Sequence, residues 1–164
     1  MGKKRNFRCS KCGHVYMVFT GPGFNYPDEY DYVTQEIRDG EYGEERKTAF
    51  ENTPYAAVNA AEELYMCDDC GVWEVGRDIT VYEPNDVSKF KKRKYGDETV
   101  EKLGYVPYVM ENELKEDFHV VKQFVRKCPC CEKPMRRVPD REKVKLRCSM
   151  CGTVNAESGD SMWD

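Results

Sequence analysis

The chain has 164 residues, 34% of them charged, and a formal net charge of −4. No stretch approaches the ~18 consecutive apolar residues of a membrane span, and the charged segment 1–7 lacks the apolar core of a secretory leader. We therefore expect a cytoplasmic protein without a membrane anchor. A unit of about 80 residues, half of this chain, usually needs a staple besides its hydrophobic core.

The first half of the chain predicts one strand and two helices. Segment 15–19 is rich in β-branched and aromatic residues and predicts a strand. The alanine-rich segment 55–65 predicts a helix, with Thr53 as its N-cap and Pro54 in its first turn. An earlier helix starts at Pro27 and ends before Gly40, and it carries four residues on one face, namely Tyr30, Val33, Thr34 and Ile37.

The second half predicts shorter elements. Segments 72–75 and 79–82 predict two strands, and 97–103 and 110–117 predict two helices. Further strands are expected over 118–126, 135–138 and 143–147, and a polar tail follows from 152 onward.

Eight of the nine cysteines lie in four Cys-x-x-Cys pairs. Two such pairs together place four thiolates at the corners of a tetrahedron, the arrangement that Zn²⁺ prefers. An odd cysteine count in a chain without a leader favours metal binding over disulfides. We therefore expect two Zn²⁺ ions, held by Cys9, Cys12, Cys67, Cys70, Cys128, Cys131, Cys148 and Cys151.

Spacing predicts which pairs share an ion. Sixteen residues separate Cys131 from Cys148, a distance typical of two knuckles on one zinc. The first two pairs, with 54 residues between them, then pair by elimination. Loop entropy does not decide, because joining the first pair to the fourth rather than to the second costs only ~0.8 kcal/mol more.

The knuckles at 9–13 with 67–71, and at 128–131 with 148–152, resemble the zinc-ribbon class, a rubredoxin-like arrangement of two knuckles on β-hairpins. The resemblance implies a small, metal-stapled α+β fold with two zinc ribbons, the first carrying a helical insertion at about 21–66. The expected parts are a first ribbon at 1–83, a basic and helical connector at 84–117, a second ribbon at 118–153 and a flexible tail at 154–164. The class implies metal and fold, and it leaves function open.

Charge is unevenly distributed. Segment 28–52 has nine acids and three bases, a net charge of −6, whereas 120–151 has ten bases and three acids, a net charge of +7. Clustered bases are typical of nucleic-acid binding, although part of this charge compensates the thiolates of a metal centre. The tentative nucleic-acid-binding residues are Lys89, Lys91, Lys92, Arg93, Lys94, Arg136, Arg137, Arg141, Lys143 and Lys145.

No catalytic constellation is recognisable, since four thiolates close a metal site and the chain has only two histidines. His14 is interpreted as a surface or outer residue of a knuckle, His119 as a packing or surface residue, and Cys130 as a spectator. The sequence therefore predicts a structural-zinc adaptor for a macromolecule, preferably a protein. Two alternatives are a nucleic-acid-binding ribbon protein and a rubredoxin-like iron protein for electron transfer. The latter is disfavoured by the 54-residue excursion between the first two knuckles.

Overall fold

The computed structural model describes residues 2–163, with the side chains of residues 2–155. This part of the chain is a small α+β fold that divides into two compact units. Unit 1 comprises Met1–Phe24, Glu62–Arg77 and Val125–Asp164, and unit 2 comprises Asn25–Ala61 and Asp78–Phe124. Each unit thus combines distant segments, whereas the sequence analysis expects consecutive blocks.

The elements follow one another as short strands and helices. In chain order they are β1 (Gly2–Arg8), β2 (Val15–Thr20), α1 (Tyr26–Asp39), α2 (Glu44–Asn52), β3 (Ala57–Met66), β4 (Trp73–Pro84), α3 (Val87–Phe90), β5 (Lys94–Tyr95), β6 (Glu98–Thr99), α4 (Val100–Leu103), α5 (Glu111–Asp117), β7 (Phe118–Lys122), β8 (Arg136–Arg137), β9 (Lys145–Arg147) and β10 (Val154–Trp163). Among the described residues, no helix is both long enough and apolar enough to cross a membrane.

One sheet of unit 1 has the strand order β2-β1-β10-β9. Strand β1 pairs antiparallel with β2 on one side and with β10 on the other. The predicted tail is therefore wrong for residues 154–163, which form a strand because β1 offers them a free edge; Asp164 lies outside the described residues. The inner face of the sheet contributes Phe7, Tyr16, Val18 and Leu146 to a buried core.

A second sheet has the strand order β7-β4-β3-β8. The helix predicted over 55–65 is wrong, because this segment forms most of β3. Eight of the ten residues of β3 are buried, so the strand has apolar surroundings on both faces. Its small alanines fit there, and tertiary packing overrides their helix propensity. The two strands predicted at 72–75 and 79–82 are one strand, β4.

Unit 2 contains the helices. The helix predicted from Pro27 is confirmed, since α1 buries Tyr30, Val33, Thr34 and Ile37 and ends at Gly40 with φ +83°. Helices α4 and α5 lie within the predicted segments 97–103 and 110–117. Helix α2 was not predicted. Its first turn carries Glu44 and Glu45, which suit the positive end of a helix dipole.

An ion pair with one buried member links β8 to β3. Arg137 on β8 donates to Glu63 on β3 from Nε to Oε2 at 2.9 Å, and its Nη2 lies 2.8 Å from Oε1. Because the Glu63 side chain is only 4% exposed, the ion pair with Arg137 stabilises its charged form. Removing one member of a buried pair costs more than the pair itself contributes.

We predict that Arg137→Ala destabilises the protein by about 3 kcal/mol, since it removes a cation that contacts both oxygens of a buried carboxylate. Lys145→Ala, an exposed residue on β9, is the control and should change stability by less than about 0.5 kcal/mol. Denaturant unfolding at fixed metal concentration measures both. The double variant Glu63→Met/Arg137→Met should recover most of the loss; equal stability of Arg137→Ala and the wild type would contradict the assignment.

Candidate metal centres

The eight cysteines of the knuckles form two groups, both within unit 1. Cluster 1 consists of Cys9, Cys12, Cys148 and Cys151, and cluster 2 consists of Cys67, Cys70, Cys128 and Cys131. In each cluster all four sulfurs lie within 4.8 Å of one another. Two groups of four sulfurs can therefore hold two metal ions.

The sulfur separations fit a tetrahedral ion. A tetrahedron with metal–sulfur bonds of 2.3 Å has sulfur–sulfur edges of about 3.8 Å. In cluster 1 the Sγ atoms of Cys9 and Cys151 are 3.4 Å apart, and those of Cys12 and Cys148 are 3.8 Å apart. In cluster 2 the recorded separations run from 3.4 to 3.9 Å. All nine cysteines are free thiols.

The predicted pairing of the knuckles is wrong. The first knuckle meets the fourth and the second meets the third, so the two clusters are nested in the sequence. Strand pairing is the reason: β1 leads into Cys9 and lies beside β10, which follows Cys151. Likewise β3 leads into Cys67 and pairs with β8, which follows Cys131. The sixteen-residue spacing that misled the prediction spans β8 and β9 instead.

All four knuckles share one backbone turn. The N–H of the first cysteine donates to the carbonyl five residues later, and the N–H four residues later donates back to the first cysteine. The residue four positions after the first cysteine needs a positive φ. Gly13, Gly71 and Gly152 supply it, with φ values of 70–74°. Glu132 takes the same role at φ 60° in the third knuckle. The turn buries the first cysteine of every knuckle and leaves the second more exposed.

The thiols of cluster 1 lie too close together to ionise independently. The backbone N–H of Cys12 lies 3.5 Å from Cys9 Sγ and lowers the pKa of Cys9 to about 6. The N–H of His14 also lowers the pKa of Cys12, but burial and the neighbouring sulfurs outweigh it and raise that pKa to about 12. Opposed shifts are typical of coupled like charges. A divalent cation would let all four sulfurs bind as thiolates.

Cluster 2 shows the same opposition. Burial raises the pKa of Cys128, yet the backbone N–H groups of Cys131 and Cys130 outweigh it and lower the pKa to about 7. For Cys70 the N–H of Val72 is outweighed by burial and by the other sulfurs, and the pKa rises to about 12. Both clusters therefore favour a bound cation.

Polar contacts brace each cluster across its two knuckles. In cluster 1 the buried Asn155 accepts from the backbone N–H of Ser10 at 2.9 Å and donates to the Thr153 carbonyl at 2.8 Å. In cluster 2 Lys133 donates to Asp69 and Arg136 to Asp68, both at 2.9 Å. Sequence analysis missed Asn155, since a single asparagine in a polar tail gives no signal.

The remaining candidates lie outside the clusters. His14 stacks on Tyr16 with ring centroids 5.9 Å apart. His119 is half-exposed and contacts Asn85 and Glu83. Cys130 is exposed and belongs to neither group of four among the residues that the structure describes.

The ten tentative nucleic-acid-binding residues are divided between the units, with 89–94 in unit 2 and 136–145 in unit 1. Four are held in ion pairs: Lys91 with Glu101, Arg93 with Glu113, Arg136 with Asp68 and Glu142, and Arg137 with Glu63. Within the described part of the chain, the other six have no ion pair, namely Lys89, Lys92, Lys94, Arg141, Lys143 and Lys145.

Double cysteine substitutions test which knuckles share a metal ion, because the metal content of each variant depends on the pairing. The wild type should hold two metal ions per chain. Cys9→Ser/Cys148→Ser removes ligands from cluster 1 alone and should leave about one ion, because cluster 2 keeps four thiolates. Cys9→Ser/Cys67→Ser damages both clusters and should leave about none. Elemental analysis of purified protein measures the content, with Cys130→Ser as the control; the opposite order of the two double variants would restore the pairing expected from spacing.

The knuckle turn makes a second prediction. A Cβ on Gly152 would meet no atom within 4 Å, so only its φ of +74° opposes a side chain. Gly152→Ala should therefore cost about 1 kcal/mol, read as a lower thermal midpoint at fixed free metal. Ser149→Ala, at an exposed position of the same knuckle, should leave the midpoint unchanged. An unchanged midpoint for both variants would show that the turn tolerates a side chain.

Comparison with known proteins adds no relative to this picture. The chain matches no family model, no curated protein and no solved structure. The metal centres are therefore assigned from their own geometry.

Proposed function

We propose that the chain is a protein-binding adaptor whose fold is held by two structural Zn²⁺ ions. The closure of each cluster carries the proposal: four sulfurs at tetrahedral spacing fill the coordination shell and leave no position for a substrate. The metal then has a structural rather than a catalytic role, and we place the function on the surface of the protein.

The strands around each cluster support a ribbon assignment. The knuckles of cluster 1 stand between β1 and β2 and between β9 and β10, which belong to one antiparallel sheet. Those of cluster 2 stand between β3 and β4 and ahead of β8. A metal ion joining two such turns is the zinc-ribbon arrangement. The reducing cytoplasm is the compartment in which these thiols stay free.

Iron is the alternative occupant, because four thiolates in a tetrahedron also suit it. The two metals differ in redox and optical behaviour, since Zn²⁺ has no redox chemistry. A colourless protein with about two zinc ions per chain supports the structural role. A red sample with iron in either cluster would support electron transfer instead.

A protein partner is favoured over nucleic acid by the ion pairs. Arg136 donates to Glu142 through two guanidinium nitrogens at 3.0 and 2.7 Å, and its Nε contacts Asp68. Glu142 and Asp68 raise the pKa of Arg136, and the Arg136 guanidinium in turn holds the pKa of Glu142 below its usual range. A phosphate would have to displace two carboxylates to bind this guanidinium. Arg137 is likewise committed to buried Glu63.

Affinity capture with the full chain tests the proposal. A tagged protein is cross-linked in host lysate, and each sample is divided between protein mass spectrometry and nucleic-acid sequencing. We expect a protein partner at near-equal amount that resists nuclease and about 0.5 M salt, because contacts with an apolar component survive screening. Loss of the partner on nuclease treatment would overturn the proposal.

A direct binding measurement covers the nucleic-acid alternative. Suppose that the six lysine and arginine residues without an ion pair bound a single-stranded nucleic acid through about four phosphates. The logarithm of the binding constant would then fall with the logarithm of the salt concentration at a slope of about −3. Lys143→Ala/Lys145→Ala would then reduce that slope by about one to two units. Anisotropy with labelled RNA and DNA at about 50 mM salt should show no such binding.

A further inference from the structure

Strand β2 leaves an apolar row on the surface at the edge of its sheet. Side chains alternate along a strand, and those of Tyr16 and Val18 point into the core of unit 1. Val15, Met17 and Phe19 point the other way and are 58%, 50% and 40% exposed. We call these three residues the β2 apolar row. Three large apolar side chains in one line exceed the scattered exposure of an ordinary surface.

The outer edge of β2 lacks the usual protection. Exposed edge strands commonly carry charges, prolines or bulges that prevent another strand from pairing with them. The sequence of β2, Val-Tyr-Met-Val-Phe-Thr, contains neither a charge nor a proline. The strand is last in the order β2-β1-β10-β9, and within the described residues an isolated bridge at Gly21 is the nearest pairing.

Basic side chains stand at both ends of this row. Direct cross-strand neighbours share a face, and the register places Lys4 opposite Phe19 and Arg8 opposite Val15. Lys11 is exposed in the adjoining knuckle. In the part of the chain that the structure describes, none of these three cations has an ion pair. Lys4 and Arg8 stand on β1, one strand behind β2 and about 4.8 Å from it, within the range of electrostatic attraction at physiological salt.

We propose that β2 binds an extended segment of a partner protein, in which alternating apolar residues are bounded by acidic residues at both ends. The segment adds as a further strand to the outer edge of β2. Its apolar side chains cover the β2 apolar row, while its acids meet Lys4 at one end and Arg8 and Lys11 at the other. This inference rests on the proposed function and names the partner's chemistry.

The charges argue against the other occupants. A second copy pairing antiparallel through β2 would bring the Arg8 end of one chain to the Lys4 end of the other, and like charges oppose that contact. Among the described side chains on this face, a single-stranded nucleic acid would find cations but one aromatic ring, Phe19, although successive bases need a series of rings to stack on. An acidic peptide satisfies both the apolar row and the cations.

The test uses the zinc-loaded full chain and a labelled peptide, Asp-Glu-Val-Thr-Val-Thr-Val-Glu-Asp. We expect saturable binding by fluorescence anisotropy and slower amide hydrogen exchange over residues 15–19. Met17→Glu should weaken binding at least tenfold. Val121→Glu, at an exposed position on the edge strand β7, is the matched control and should bind as the wild type does.

Two further binding measurements distinguish strand addition from nonspecific electrostatic attraction. The same peptide with alternate backbone nitrogens methylated should bind at least tenfold more weakly, because it cannot complete the ladder of hydrogen bonds. Lys4→Glu/Arg8→Glu should reject the acidic peptide and accept one whose four acids are replaced by lysines. Binding that ignores methylation, or that follows charge alone, would overturn the proposal.

The remaining outcomes distinguish this inference from the proposed function. If the protein captured from lysate is retained equally by Met17→Glu, the adaptor function stands and docking at β2 is wrong. If the peptide is displaced by oligothymidine, or if the free protein dimerises and Met17→Glu abolishes the dimer, β2 has another occupant. A lysate without any protein partner would remove both proposals.

Discussion

Antiparallel pairing between β1 and β10 is the constraint on which cluster 1 depends. The two strands lie at opposite ends of the described chain. Their pairing brings the first knuckle beside the fourth. No local signal in either segment encodes this meeting, because each knuckle is a self-contained turn of six residues. A metal ion bound by the four thiolates of cluster 1 would hold together the two hairpins that this strand pairing aligns.

Local features of the fold could be predicted because they depend on neighbouring residues. Pro27 at the start of α1, its buried face and Gly40 at its end all lie within one segment, and the structure confirms them. The knuckles themselves are equally local. Strand β3 could not be recognised, because its alanines and glutamates favour a helix when isolated, and burial on both faces decides otherwise.

Which knuckles share a metal centre could not be predicted from the sequence. Joining the first knuckle to the fourth rather than to the second costs only ~0.8 kcal/mol more in loop entropy, which is small beside the strand pairing that decides between them. Charge counts failed similarly: the excess of bases in 120–151 is real, but Arg136 and Arg137 are neutralised by acids from elsewhere in the chain. Only the strand order brings those acids within reach.

The nested arrangement also imposes an order on assembly during synthesis. Cluster 2 has all its ligands once the chain extends to Cys131, whereas cluster 1 must wait for Cys151, which is 142 positions beyond Cys9. Cys9 and Cys12 are therefore synthesised first, but the other two cysteines of their cluster are synthesised last. Contacts between residues so far apart in the sequence form slowly. Cluster 2 can therefore assemble and order its part of the chain before cluster 1 is complete.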